Sequence, residues 1–393
     1  MGLKSLGMEN YSLAAYFDES DSLVHNTPKP LVDWPRTDGL DTNAQASTHC
    51  QKLCAQMNAY AVRAQEWLSE IASRADWDYD RSRPIELARK ASEALAKRAV
   101  AIRGATEKTF AASGASCVTS GSPDDNVDAA ELRCYTDQPQ NDPESTPFTS
   151  ATATSLAAFA SVPGSAGVLQ LVPFLKARNG RRGPGHRMET SGWMTGFMLE
   201  GLYAAAGDLE LEGGDTTAVV AAVDYAHSTL TNQGNNSWLG MIRQNATMTM
   251  ESWTQPPFEA EGGGTFSHPW TAAPAWIIPR FLMGVRPLQD GWRRVAIRPL
   301  PGRQLSRAAI KVPTQRGSIE LAFDVQPKAF AATITIPGNT FAEVCLPLYL
   351  FAGSACTVQV GGTEVGASKK GALMCLDEDL GGGEHAVRMA CGK

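Results

Sequence analysis

What this 393-residue chain lacks narrows its roles before any motif is read. No apolar run approaches the roughly 18 residues that a membrane-crossing helix requires, so no membrane partner is expected. Charged residues make up only 19% of the chain and the formal net charge is −6, which speaks against nucleic acid or an anionic surface as the main partner. There is no GxSxG elbow, no HExxH pair, no P-loop and no GxGxxG followed by an acid. The serine-hydrolase, zinc-protease and nucleotide-binding readings carried by those motifs therefore drop out. Residues 1–20 hold no apolar core long enough for a signal peptide, and Gly2 has Leu6 where a myristoylated chain needs Ser or Thr. Compartment stays open on this reading: cytoplasmic, or secreted if the N-terminus is incomplete. Sequence repeats and low-complexity tracts are absent as well.

CxxC pairs are missing too, although eight cysteines are present. Cys50 and Cys54 lie one helical turn apart beside His49, but no further zinc ligands stand at suitable spacing. Core thiols are the expected reading there, and no metal or cofactor is expected anywhere. Cys117 and Cys134 bracket a polar loop, and the four cysteines after residue 340 allow several pairings. Asn10, Asn235 and Asn245 each open a triplet of the N-glycosylation pattern, which recurs often by chance.

What the chain does have changes texture near residue 290. Before it, Leu53, Met57, Tyr60, Ala64 and Trp67 recur at helical spacing and predict a helix over 48–72. Pro84 opens a second over 85–102, and Ala-rich segments predict helices over 150–160, 165–177, 192–206 and 215–230. A last one is expected over 271–283 with Pro274 in its first turn. About seven or eight helices thus precede a run of short alternating segments, 295–297, 309–312, 318–323, 332–336, 342–346, 356–360 and 385–389. Strands at that spacing predict a small β-sandwich.

The most informative stretch is 245–299. Glu251 stands in an apolar and hydroxylic run, with Met250 before it and Trp253 two positions on. A carboxylate among apolar side chains can have its acidity tuned, as a general base requires, and indole faces suit the C–H face of a sugar ring. A buried Glu at a helix start, paired with an Arg, is the plain alternative. Ser267-His268-Pro269-Trp270, Gly284-Val285-Arg286-Pro287, Gly291-Trp292 and Ile297-Arg298-Pro299-Leu300-Pro301 follow in order.

This succession resembles the end of the catalytic barrel of the α-L-rhamnosidases, glycoside hydrolase family 78, and weaker likeness extends back to about residue 30 and on to the C-terminus. The resemblance implies a chain that is mainly α with a C-terminal β domain: residues 1–288 an N-terminally truncated (α/α)6 barrel of helical hairpins, and 289–393 a β-sandwich. It implies inverting hydrolysis of terminal α-L-rhamnosides, with Glu251 as the base that activates water. His268 would line the sugar pocket, although a histidine at a helix N-terminus bonded to backbone is the alternative. Trp253 and Trp270 would be platforms at the pocket rim or core packing. Asp33 and Trp34 resemble a segment where the indole stacks near the sugar, and Tyr135-Thr136-Asp137 falls where an aromatic–Asp element contacts it. Trp193 reads as core. Glu251, Trp253, His268 and Trp34 are expected to converge on one concavity.

One departure separates the chain from the family pattern. The general acid there lies in a Cys-Pro-x-Arg-Asp-Glu motif followed by Gly-Trp-x-Gly-Asp, and no stretch here matches it. Two functions follow: the C-terminal part of a rhamnoside hydrolase, or a non-catalytic carbohydrate-binding or structural module. A carbohydrate is the expected partner under both.

Overall fold

The computed structural model describes residues 17–25, 54–73, 85–117, 128–136, 151–179, 190–211, 216–253, 266–351 and 353–392. The chain forms two compact units, residues 1–164 with 173–198, and residues 165–172 with 199–393.

In the first unit, helix α1 (Ala55–Ser73) packs against α2 (Ile85–Phe110). The second helix runs eight residues past the expected end at 102 because Ile102, Thr106 and Phe110 continue its buried stripe. Asn58 of α1 closes a short hairpin, β1 (Phe17–Asp18) with β2 (Leu23–Val24): its amide oxygen accepts from Val24 N at 2.8 Å and its Nδ2 donates to the Val24 and Cys54 carbonyls. The predicted loop after α2 contains a second ladder, β3 (Ala111–Ser113) with β4 (Arg133–Tyr135), pinned by a Cys117–Cys134 disulfide. Cys54 is disulfide-bonded as well, so the reading of Cys54 as a core thiol is corrected. Fully buried Tyr135 donates its hydroxyl to Glu107, and burial beside that carboxylate pushes the phenol well above its usual range. It is a core residue. Helices α3 (Ala151–Phe159), α5 (Val172–Arg178) and the start of α6 (Gly192–Ala206) complete the unit. Trp193, Phe197, Phe159 and Trp67 form a chain of ring contacts there, with Arg63 over Trp67 and Phe159.

The second unit contains the short helix α4 (Gly164–Leu169) almost entirely, the end of α6, α7 (Thr216–Leu230) and α8 (Trp238–Arg243). The single helix expected over 271–283 is instead a 3-10 turn (Pro269–Thr271), a short α9 (Pro274–Ile277) and a π turn (Ile278–Leu282). Pro279 has no N–H for the carbonyl one turn back, and the backbone widens so that Met283 N bonds Ile278 O at 2.8 Å.

Among the described residues of this unit, strand structure begins at Val285. One sheet has the order β13-β14-β10-β6-β5 and the other β12-β11-β15-β9-β8-β7. In the first, β5 (Val285–Pro287), β6 (Arg294–Ile297), β10 (Phe341–Leu346), β13 (Ala367–Lys370) and β14 (Leu373–Leu376) pair antiparallel except β6 with β10, which is parallel. The second is antiparallel throughout: β7 (Arg307–Thr314), β8 (Gly317–Gln326), β9 (Ala329–Ile336), β11 (Cys356–Val360), β12 (Thr363–Val365) and β15 (Gly383–Cys391). On β8, Ile319, Leu321 and Phe323 are buried and their neighbours exposed, the period-two pattern of a half-buried strand. Each sheet carries one disulfide between directly opposed residues, Cys345–Cys375 in the first and Cys356–Cys391 in the second. Gly284 enters β5 at φ +71°, where a Cβ would lie 2.0 Å from the Arg298 carbonyl oxygen, so this turn requires glycine.

Candidate functional site

Glu251 sits in a bend after α8, and His268 lies seventeen residues on, beyond the undescribed residues 254–265. The two segments are stitched together by backbone and threonine hydroxyls. His268 N donates to Thr249 O at 2.8 Å, and Thr249 Oγ1 donates back to His268 O at 2.7 Å. Thr271 Oγ1 reaches the carbonyl of Met250 at 2.7 Å and that of His268 at 2.9 Å. Met250, the residue before Glu251, is itself buried, with its N–H directed at Met241 Sδ. The carboxylate is therefore attached to backbone fixed from both sides.

His268 is the cap residue of the 3-10 turn, with Pro269 in its first position, yet its side chain makes no capping bond. The ring instead turns Nδ1 toward Glu251 Oε2 at 3.7 Å. That separation is too long for a hydrogen bond. Both side chains are partly open, 24% for His268 and 20% for Glu251. Trp270 lies against the imidazole, with ring centroids 4.3 Å apart and planes tilted by 36°, and it is 40% exposed. The exposed indole, the imidazole and the carboxylate thus form one continuous, partly solvated surface, with an apolar face beside a hydrogen-bonding group and an anion.

Trp253 is placed differently. It is 4% exposed and packs edge-on against Trp238 at 5.1 Å and 82°, while its carbonyl accepts from Gln244 Nε2. Packing beneath the site, the alternative stated above, is the role this burial favours. Trp238 Nε1 in turn donates to Thr271 O at 2.7 Å, so the indole pair supports the threonine stitch. Sequence reading missed Trp238, Thr249 and Thr271 as positioning groups. Thr249 was visible within the Thr-Met-Glu run, but a hydroxyl's partner across an intervening loop is not. Asp33, Trp34 and Asp137 lie outside the described residues, so their place relative to Glu251 is not given. The structure brings Glu251, His268 and Trp270 together.

Among the described residues no helix is long and apolar enough to cross a membrane. The one group of potential metal ligands among them is Asp18, Asp21 and His25, in the exposed hairpin of the first unit. Ser20 N and Oγ both donate to Asp18 there, which holds that carboxyl below its usual pKa, and His25 Nε2 lies 2.7 Å from Asp21.

Comparison with known proteins bears on this arrangement. A family model, the bacterial α-L-rhamnosidase C-terminal domain, matches residues 284–351. An α-L-rhamnosidase of Formosa agariphila is 27% identical over 131 residues, covering 32% of this chain and 14% of that protein. The solved α-L-rhamnosidase of Dictyoglumus thermophilum superposes with a TM-score of 0.63 at 18% identity, covering 99% of this chain and 37% of that one. That of Streptomyces avermitilis, determined in complex with L-rhamnose, gives 0.61 at 19% identity, covering 98% and 30%. The chain thus spans well under half the length of the relatives it matches, and at these identities the superpositions establish the fold. Helical segments followed by two sheets, with the Gly-Val-Arg-Pro turn at their junction, identify an α-L-rhamnosidase-like protein that corresponds to a C-terminal part of those proteins.

Proposed function

We propose that this chain carries the water-activating half of an inverting glycoside hydrolase acting on terminal α-L-rhamnosides. The carrying observation is the Glu251–His268–Trp270 surface: a partly exposed carboxylate held by fixed backbone beside an imidazole and an open indole face. In this reading residues 1–288 contribute helical hairpins of an (α/α)6 barrel, and 289–393 form a β-sandwich. Glu251 accepts a proton from the attacking water as the C–O bond breaks through an oxocarbenium-like transition state. His268 lines the sugar pocket beside the carboxylate. Trp270 provides the apolar platform for the ring, and Trp253 supports it from below. An inverting pair of carboxyls stands about 6.5–9.5 Å apart, leaving room for the water. Protonation of the leaving oxygen falls to a second acid, which the sequence does not supply in the family's motif.

That missing motif favours a second reading, a carbohydrate-binding module without turnover. Both readings require a sugar site, so binding is the first test. L-Rhamnose titrated into the protein should change tryptophan fluorescence saturably, and Trp270→Ala should remove that response while leaving the fold intact. A flat titration of the unaltered chain would rule out a rhamnose site here under either reading.

A further inference from the structure

The disulfides bear on more than stability. Cys117–Cys134 lies in the first unit, and Cys345–Cys375 and Cys356–Cys391 lie one in each sheet of the second. Cys54 is bonded too, and among the described residues no cysteine is free. Seven of the eight cysteines are thus engaged. Disulfides form and persist in oxidising compartments, whereas cytosolic thiols are kept reduced. The pairing therefore places maturation of this chain in an oxidising compartment.

In a secretory compartment of that kind an Asn-x-Ser/Thr triplet is a sugar acceptor. Two such triplets are described, and they bracket α8. At the first, which begins with Asn235, the Ser237 hydroxyl is buried and occupied as the helix cap. It accepts from Gly240 N at 2.9 Å and donates to Gly234 O at 2.6 Å. At the second, Asn245 and Thr247 are both exposed, and neither side chain bonds any described residue.

Asn245 closes α8 at φ +61°. Its N–H bonds Ile242 O at 2.9 Å and that of Ala246 bonds Met241 O at 3.1 Å, the pattern of a Schellman turn. Glycine meets that conformation without strain, so the turn alone does not call for asparagine, nor for a threonine two residues on. The turn also leaves large apolar side chains open on both sides of Asn245: Ile242 is 66% exposed and Met248 44%. The C–H face of a sugar rooted between them is suited to remove that surface from water.

We propose that Asn245 carries an N-linked glycan, added as the chain passes through an oxidising secretory compartment. The co-reactant is an oligosaccharide joined at C1 to a lipid pyrophosphate. Nδ2 of Asn245 gives up a proton and bonds C1, the C1–O bond breaks, and lipid pyrophosphate leaves. The first sugar then covers Ile242 and Met248, on the loop that leads to Glu251. The site does not depend on whether Glu251 works in hydrolysis.

The full chain, secreted from yeast behind a cleavable leader, tests this. An amidase that removes N-glycans, applied in heavy-oxygen water, should convert Asn245 to a labelled aspartate in its peptide and increase electrophoretic mobility. Asn245→Asp, which tolerates the same turn, and Thr247→Ala should each lose one glycan from that shift, and Asn235→Gln should lose none. Removing the glycan should also raise the fluorescence of an apolar dye, and Ile242→Ser should reduce that rise. Should a variant fail to be secreted, the labelled peptide of the unaltered chain decides alone. An unlabelled Asn245 peptide, a label at Asn235 in its place, or maleimide-reactive thiols at the paired cysteines before reduction would overturn the proposal. An unchanged dye signal would overturn the covering role.

Discussion

Glu251 and His268 stand on non-helical backbone tied by threonine hydroxyls, whereas Arg286, Arg294 and Glu343 stand on paired strands of one sheet. The first pair is partly open and keeps 3.7 Å between the imidazole nitrogen and the carboxylate oxygen. In the second cluster Arg294 and Arg298 are drawn into direct ion pairs with Glu343 beside the buried Ala296. A carboxylate that must meet water and a substrate needs a fixed base with an open face, which loops on a rigid scaffold provide. A cluster that only joins elements gains from regular pairing and burial. On the proposed function, the difference separates a site open to a ligand from a cluster that joins elements of the sheet.

That contrast can be broken most sharply at the two tryptophans. Trp253→Ala removes a buried indole packed on Trp238 and should cost about 3–5 kcal/mol of stability, read as a large drop in unfolding midpoint. Trp270→Ala removes a 40% exposed ring and should change stability by less than about 1 kcal/mol while losing the sugar. Comparable stability losses in the two variants would erase the distinction between support and platform.

The next test lies in the sheets. Replacing Cys356 and Cys391 together by serine opens a cross-strand link spanning 35 residues and should destabilise the chain by about 2–4 kcal/mol, measured by denaturant unfolding. The Glu251 surface contains no disulfide, so rhamnose binding below the transition should persist.

The smallest effect concerns pH. His227 is buried with Nδ1 unpartnered, and burial lowers its basicity below the ordinary value of 6.5. The unfolded chain then binds a proton that the folded one refuses. Stability from this group is complete above pH 6.5 and falls as pH drops from there toward the lower folded value. His227→Gln should flatten that part of the pH–stability profile.

How much was legible in the sequence follows the same division. The helices expected over 192–206 and 215–230 coincide with the observed bounds to within a residue, because buried positions recur along them. Period-two alternation revealed the cores of the long strands. The short strands β12 and β13 were missed, since exposed residues such as Thr363, Glu364, Lys369 and Lys370 carry no apolar alternation. The broken helix after Thr271 was missed because Pro274 alone was read, as a first-turn proline, while the missing donor at Pro279 is what widens the turn. Disulfide partners were not legible, since pairing depends on strand register. Of the candidate site, the motifs named Glu251, His268 and Trp270, which the structure places side by side. The burial of Trp253 depends on Trp238, fifteen residues away, and no local pattern announces it.

The most direct test is hydrolysis of nitrophenyl α-L-rhamnoside by the purified chain beside Glu251→Gln, both shown to be folded. An aryl leaving group depends least on acid assistance, so it reports on the base even where the acid is weak. The account predicts slow turnover by the unaltered chain, reduced about 10²–10⁴-fold by Glu251→Gln, with L-rhamnose binding retained by both. Turnover unchanged by Glu251→Gln, or no turnover by a chain that binds rhamnose, would contradict the assignment of Glu251 as a working base.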